Sequence, residues 1–304
     1  MCNLTCIVKT FAQCSEMSGG NTLHLKDQGC IASNKIHRSP IKNKKERIMF
    51  NSIGFIGAGR VARIMLGGWQ RANALPVNIL AYDINPEAIK TLQNDFPKVT
   101  AATLAGCAAC DLVFGAVHPP ALPQVLDALA GKLRPHSVFC SLAPMMRFEE
   151  IQNKLLGFSR IVRLNPNSPG IVGKGYNPIS FSSGLPNSIQ DKLLRLFEPL
   201  GKTPEVDELQ METYAVVSAM GPTYFGFQFA EVMKIAKSFG LTHDEACEAL
   251  RSMLRGTVDM LFGSNLPTEM VLDLVPVKPM AEDETEIRRM LQTRMGATHA
   301  RLTG

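Results

Sequence analysis

One short stretch limits the folds open to this chain more than any other. Gly54-Phe-Ile-Gly57-Ala-Gly59-Arg-Val-Ala62 follows the apolar run that begins at Ile53 and leads into a segment of helical period, Val61–Arg71. A strand that turns through glycine into a helix brings the unpaired N–H groups of the helix start to one point, where the helix dipole favours negative charge. Gly57 permits the tight turn, Gly59 lets the backbone approach a pyrophosphate, and Ala62 is small enough for the helix to lie on the strand. The spacing reads as the opening of a dinucleotide-binding unit, with Ile56, Gly57, Ala58, Gly59, Arg60 and Val61 around the phosphates. Asp83 ends the second predicted strand, 24 residues after Gly59. A carboxylate there accepts hydrogen bonds from ribose hydroxyls and repels a 2′-phosphate, which favours NAD over NADP. A competing reading makes Asp83 the cap of the helix that opens at Pro86.

The rest of the chain up to residue 205 alternates strand and helix. Strands are predicted at Ile53–Gly57, Ile79–Tyr82, Leu112–Val117, Ser137–Ser141, Ile161–Leu164 and Ile179–Ser182. Helices are predicted at Val61–Arg71, Pro86–Asp95, Leu122–Gly131, Phe148–Gly157 and Ser188–Leu200. Short apolar strands separated by helices imply a parallel sheet covered on both faces. After Val206 the strand signals stop. Long helices are predicted at Glu212–Phe239 and His243–Phe262, the second opened by the capping box Thr242-His-Asp-Glu245, and another at Met280–Met295. The first two are apolar around much of their circumference, as in Phe225-Gly-Phe-Gln-Phe-Ala230, so each needs more than one partner to bury it. The expected fold is therefore α/β: a Rossmann-type doubly wound parallel sheet over residues 49–205, then an all-helical domain over 206–304 that forms a homodimer.

Charge separates a third region. Residues 1–48 hold eight of the 32 Lys and Arg and three of the 27 acids, which accounts for the whole net charge of +5. They lack sustained periodicity and read as a disordered basic extension, a transit peptide or a start assigned upstream of Met49. The remainder is neutral, and this argues against a nucleic-acid surface, which needs concentrated positive charge. No apolar run approaches the ~18 residues of a membrane span. Cys107 and Cys110 form a lone C-x-x-C without a second pair or a nearby His to complete a zinc tetrahedron, so they read as buried free thiols and no metal is expected. With no secretory signal, the expected location is cytoplasmic.

Four motifs in order extend the reading from about Met49 to Phe262. Gly54-Phe-Ile-Gly-Ala-Gly59, Ala116-Val-His-Pro119, Arg163-Leu-Asn-Pro-Asn-Ser-Pro169 and Ser218-Ala-Met-Gly-Pro-Thr-Tyr224 resemble the G-F-I-G-x-G, A-V-K-P, R-x-M-P-N-T-P and S-G-S-G-P-A-Y motifs of pyrroline-5-carboxylate reductases. Those enzymes reduce a cyclic imine to proline with NAD(P)H. The resemblance implies that Ile56–Val61, Asp83, Ala116, Val117, His118, Pro119 and Asn165 border an NAD or NADP cofactor. It also brings Asn167 and Ser218 to the substrate as candidate catalytic groups. His118 is a candidate proton donor because an unperturbed imidazole titrates near neutrality.

Elsewhere the pattern fails. The family's S-P-G-G-T-T, which gives backbone donors and a Thr hydroxyl to the substrate, is replaced by Val275-Pro-Val-Lys-Pro-Met-Ala-Glu282. Ala143-Pro-Met145 stands in for A-A-G beside the cofactor, and the carboxylate of the first long helix aligns with Ala230, next to Glu231. Lys278, or Arg288 with Arg289, are the candidate replacements for the missing donors. The expectation is an NAD(P)-dependent reductase of a small imine or ketone, with a small-molecule substrate. The alternatives are a non-catalytic NAD(P)-binding regulatory or scaffold protein, and a hydroxyacid-dehydrogenase type using Lys234.

Overall fold

Apolar strands with no polar alternation have to be covered on both faces, and the computed structural model, which describes residues 50–304, covers them. The segment 1–48, with Cys2, Cys6, Cys14 and Cys30, and the start at Met49 lie outside the described residues. The strands are β1 (Ser52–Ile56), β2 (Asn78–Tyr82), β3 (Val99–Ala101), β4 (Leu112–Gly115), β5 (Val138–Ser141), β6 (Ile161–Leu164) and β8 (Ile179–Phe181). They form one seven-stranded sheet in the order β3-β2-β1-β4-β5-β6-β8. The order reverses between β1 and β4, the switch point at which doubly wound sheets hold ligands. All neighbours are parallel except β6 with β8. The link between those two contains no crossover helix, so β8 returns antiparallel. A two-stranded parallel ribbon, β7 (Gly175–Tyr176) with β9 (Gly201–Lys202), lies beside the main sheet.

One face is covered by α1 (Arg60–Arg71), α2 (Pro86–Asp95) and α6 (Asn187–Phe197), the other by α3 (Leu104–Ala108), α4 (Leu122–Leu129) and α5 (Phe148–Lys154). On the first face Phe55 stacks on Phe114 at 4.8 Å, and Trp69 packs beside them with its Nε1–H donated to the Leu196 carbonyl. Such an aromatic cluster combines large apolar burial with a satisfied polar tip. Small residues allow the closest approach. A Cβ on Gly68 would sit 2.5 Å from the Gly170 carbonyl, so α1 lies directly on the 3₁₀ segment Ser168–Val172.

The helical region departs from the prediction at its start. Instead of one helix from Glu212, the chain forms α7 (Met211–Tyr214), a π turn over Ala215–Ala219, and α8 (Gly221–Ser238). Pro222 explains the break: it has no N–H to give the Ser218 carbonyl, which accepts Asn167 Nδ2 instead. α9 (His243–Gly263) opens with the predicted box, Thr242 and Glu245 bonding each other's backbone N–H. A short α10 (Thr268–Asp273) precedes α11 (Ala281–Thr303). The strand β3 and the helices α3 and α10 were not predicted, since each is too short to develop a period. β4 stops at Gly115 rather than Val117, because the chain turns at His118-Pro119 into a 3₁₀ turn. Among the described residues no helix is long and apolar enough to cross a membrane.

Candidate functional site at the carboxyl end of the sheet

The glycine turn is built as its spacing requires. Gly57 has φ +106°, a conformation that disfavours side chains, and a Cβ there would meet the Ala116 carbonyl oxygen at 2.3 Å. Ile56, Gly57, Ala116 and Val117 are thus brought together, and Ala116 N–H also donates to Ile56 O at 2.8 Å. Gly59 differs from Gly57. Its backbone is extended, and nothing lies within 4 Å of where its Cβ would be. The first bond inside α1 runs from Arg63 N–H to the Gly59 carbonyl, and the helix has no side-chain cap and no acid in its first turn. The N–H groups of Arg60, Val61 and Ala62 have no partner within the helix, and the space beside Gly59 is open, a cradle suited to a pyrophosphate.

Asp83 braces this turn. Its Oδ2 accepts Ala58 N–H at 2.8 Å and its Oδ1 accepts Asn85 N–H at 2.8 Å. The helix-cap reading of Asp83 is corrected: Asn85 caps α2, accepting Glu87 N–H at 3.1 Å. The carboxylate nevertheless stays at the carboxyl end of β2, with lone pairs left for a ribose.

Asn165 and Asn167 lie at the end of β6, buried, and both serve as braces. Asn165 Nδ2 donates to the Met211 carbonyl at 2.7 Å. Asn167 Nδ2 donates to Ser218 O at 3.2 Å while its Oδ1 accepts Tyr176 N–H at 3.1 Å. Ser218, in the π turn, donates its hydroxyl to Tyr214 O at 2.8 Å. Asn167 and Ser218 are therefore brought together, and their side-chain donors are engaged with main chain. His118 is exposed at the start of the 3₁₀ turn and forms no side-chain hydrogen bond with the described residues. Pro119 follows it as the first residue of that turn.

Sequence reasoning missed a buried ionic cluster beneath this site. Arg163 is almost wholly buried and pairs through Nη2 with Glu212 and through Nη1 with Glu208 at 3.2 Å. Glu212 Oε1 also accepts Met145 N–H at 3.2 Å, and Glu208 Oε1 accepts Phe148 N–H. The cluster joins β6, α7 and the loop after β5. Met145 adopts φ +87°, the conformation a glycine takes without strain, so the loop keeps a glycine-like turn at a residue that is not glycine. An arginine inside an apolar strand was the available signal.

Burial pushes the Cys107 thiol up to about 12 and Cys140 well above its ordinary value. Neither is poised as a thiolate nucleophile. The candidate replacement cations are all matched to neighbouring acids: Lys278 to Asp273 at 3.2 Å, Arg288 to Glu284, and Arg289 to Glu286, whose carboxyl this contact holds low. Lys234 is likewise paired with Glu231 at 2.7 Å on the outer face of α8.

Comparison with known proteins agrees with this geometry. A family model described as "NADP oxidoreductase coenzyme F420-dependent" matches residues 52–144, the span of the glycine turn, Asp83 and Ala116. The pyrroline-5-carboxylate reductase of Escherichia coli (strain K12) is 28% identical over 195 residues, covering 63% of this chain and 72% of that protein. Pyrroline-5-carboxylate reductase 1 of Bacillus spizizenii is 25% identical over 224 residues, 73% of this chain and 75% of that one. A crystal structure of Plasmodium falciparum pyrroline carboxylate reductase with NADP bound superposes with a TM-score of 0.70 at 18% identity, over 83% of this chain and 97% of that chain. Over much of its length the chain is similar to pyrroline-5-carboxylate reductases, and it shares their fold.

The likeness to these reductases is weakest in the segment before the last helix, residues 275–282. A shallow, open depression of about 230 Å³ there is lined by Lys278, Pro279, Met280, Ala281, Glu284 and Ile287. The first turn of α11 that follows carries Glu282, Asp283 and Glu284. Three carboxylates at a helix start occupy the place where unpaired N–H groups would otherwise favour an anion.

Proposed function

We propose that the chain is an NAD(P)H-dependent reductase of a small cyclic imine or ketone, acting as a homodimer. The observation that carries this reading is the open cradle at Gly59, with helix N–H groups aimed across it and the Asp83 carboxylate fixed beside it. When bound there, NAD(P)H supplies the hydride. The chain's own residues bind and orient: the α1 start holds the pyrophosphate, Asp83 the adenosine ribose, and Ala116–Pro119 with Asn165 border the nicotinamide. Asp83 disfavours a 2′-phosphate, and this supports NADH over NADPH.

The substrate class follows from charge. The cations nearest the rebuilt loop are already paired, and α11 begins with three acids, so an anionic carboxylate has no partner there. A carboxylate-free imine such as 1-pyrroline fits better than pyrroline-5-carboxylate. The dimer reading rests on α8 and α9, whose Phe227, Phe239 and Phe262 are 69%, 82% and 84% exposed in one chain. Large aromatic side chains exposed in this number on two helices mark association surface. Free thiols at Cys107, Cys110 and Cys140 suit a reducing compartment such as the cytoplasm.

The test is oxidation of NADH and of NADPH by the purified protein with 1-pyrroline and with pyrroline-5-carboxylate. Turnover of 1-pyrroline, faster than of pyrroline-5-carboxylate, is expected. Tight cofactor binding without turnover of either, or of a panel of small ketones, would contradict the reading.

A further inference from the structure

Reduction of a C=N or C=O bond needs a proton as well as a hydride, and most polar side chains at the carboxyl end of β6 cannot give one. Asn167 is held by Ser218 O and Tyr176 N–H, and Ser218 has already donated its hydroxyl proton to Tyr214 O. Tyr224 nearby donates to Val216 O at 2.8 Å. Two phenols are left, Tyr176 and Tyr214, with ring centroids 6.1 Å apart and hydrogen-bonded to each other through their side chains rather than to main chain. Neither donates to a main-chain carbonyl among the described residues.

The main chain fixes where Tyr176 stands. Asn165 N–H donates to Pro178 O at 3.0 Å, Asn167 N–H to Asn177 Oδ1 at 3.2 Å, and Tyr176 N–H to Asn167 Oδ1 at 3.1 Å. Residues 176–178 therefore run beside Asn165–Asn167 at the carboxyl end of β6, the end at which sheets of this class hold ligands. Tyr176 is 37% exposed to solvent, with the Tyr214 ring beside it.

We propose that Tyr176 is the proton donor of the reduction, with Tyr214 positioning its ring. This rests on the reductase reading given above. The Tyr176 Oη–H bond breaks as an N–H bond forms on the imine nitrogen, or an O–H bond on a ketone oxygen. The two electrons arrive with the hydride from NAD(P)H on the adjacent carbon, and the phenolate regains its proton from solvent. Loss of solvation, then the neighbouring Tyr214, raises the Tyr176 pKa above its ordinary value, so the phenol is protonated at neutral pH and gives its proton to the strongly basic nitrogen or oxygen that hydride addition creates. His118 carries no comparable support, since its exposed ring is held by no partner among the described residues.

The experiment compares wild type with Tyr176→Phe, which removes only the hydroxyl. With 1-pyrroline and NADH, the variant should lose about a hundredfold in kcat. Its Kd for NADH, read from nicotinamide fluorescence, and its Tm should be unchanged. A second readout needs no turnover. Ultraviolet titration of the phenols should show one group, absent from Tyr176→Phe, whose ionisation moves to lower pH when NAD⁺ places its cationic ring nearby. Undiminished kcat in the variant, or a phenol indifferent to NAD⁺, overturns the assignment while the reductase reading stands. A wild type that reduces neither 1-pyrroline nor pyrroline-5-carboxylate overturns both.

Discussion

Asp83 accepts the Ala58 amide at 2.8 Å with one carboxylate oxygen and the Asn85 amide at 2.8 Å with the other. One side chain thus closes the glycine turn and sets a fixed negative charge at the end of β2. In Asp83→Asn the amide offers one acceptor in place of two and turns its NH₂ toward a donor. The turn should lose about 1 kcal/mol. With the charge gone, NADPH affinity should rise relative to NADH. Titration of both cofactors checks this; an unchanged ratio of the two Kd values would show that Asp83 does not select the cofactor.

Glu212 is the second support. It lies between the buried Arg163 guanidinium and the Met145 amide, so Glu212→Ala leaves a buried charge with Glu208 alone. Breaking one side of a buried pair costs about 3 kcal/mol, whereas replacing both partners by apolar groups is often near neutral. Urea unfolding should show that loss for Glu212→Ala and recovery of most of it in Arg163→Met with Glu212→Leu. A single variant as stable as wild type would mean that the cluster contributes little.

Met145 holds φ +87° with a half-exposed side chain, so its conformation is strained and its packing slight. Met145→Gly should raise stability by about 1 kcal/mol, the strain relieved outweighing the entropy of the unfolded glycine. Urea denaturation is again the readout, and a loss of stability would place the weight on Met145 packing instead.

The exposed phenylalanines of α8, which lie on both sides of the helix, give a prediction about assembly. Phe225 and Phe229 lie with stacked rings 6.4 Å apart, and Phe227 is exposed between them in sequence. Sedimentation equilibrium should give twice the mass of one chain. Phe227→Asp should weaken the dimer by at least about tenfold, roughly 1.4 kcal/mol. A monomeric wild type would contradict the assignment of this surface.

The parts of the fold with a long period or a glycine constraint were legible in the sequence. β1 to α1 was read to within a residue, because Gly57 is forced by the Ala116 carbonyl and Ala62 by the sheet beneath it. Short elements such as β3 and α3 left no pattern. The single helix predicted from Glu212 failed because Pro222 interrupts it, a signal already in the sequence, and because the Ser218–Asn167 bond acts across 51 residues, which local periodicity cannot see. The same reason hid the site's finer roles. Asn167 and Ser218 share motifs that suggest chemistry, yet only the folded chain shows their donors engaged and Tyr176 brought beside them by Asn167 Oδ1. Arg163 was visible as a residue but not as a buried ion, since its partners come from α7 and the turn before it.

If the space in front of Gly59 receives the phosphates of a nicotinamide dinucleotide, a side chain placed there must displace them. A side chain at Gly59 meets nothing within 4 Å and the backbone there is extended, so Gly59→Val should fold with an unchanged Tm. The added methyl groups would stand in the cradle itself. Fluorescence titration should show NADH binding by wild type and at least about tenfold weaker binding by Gly59→Val. Equal affinity in the two proteins would contradict the account.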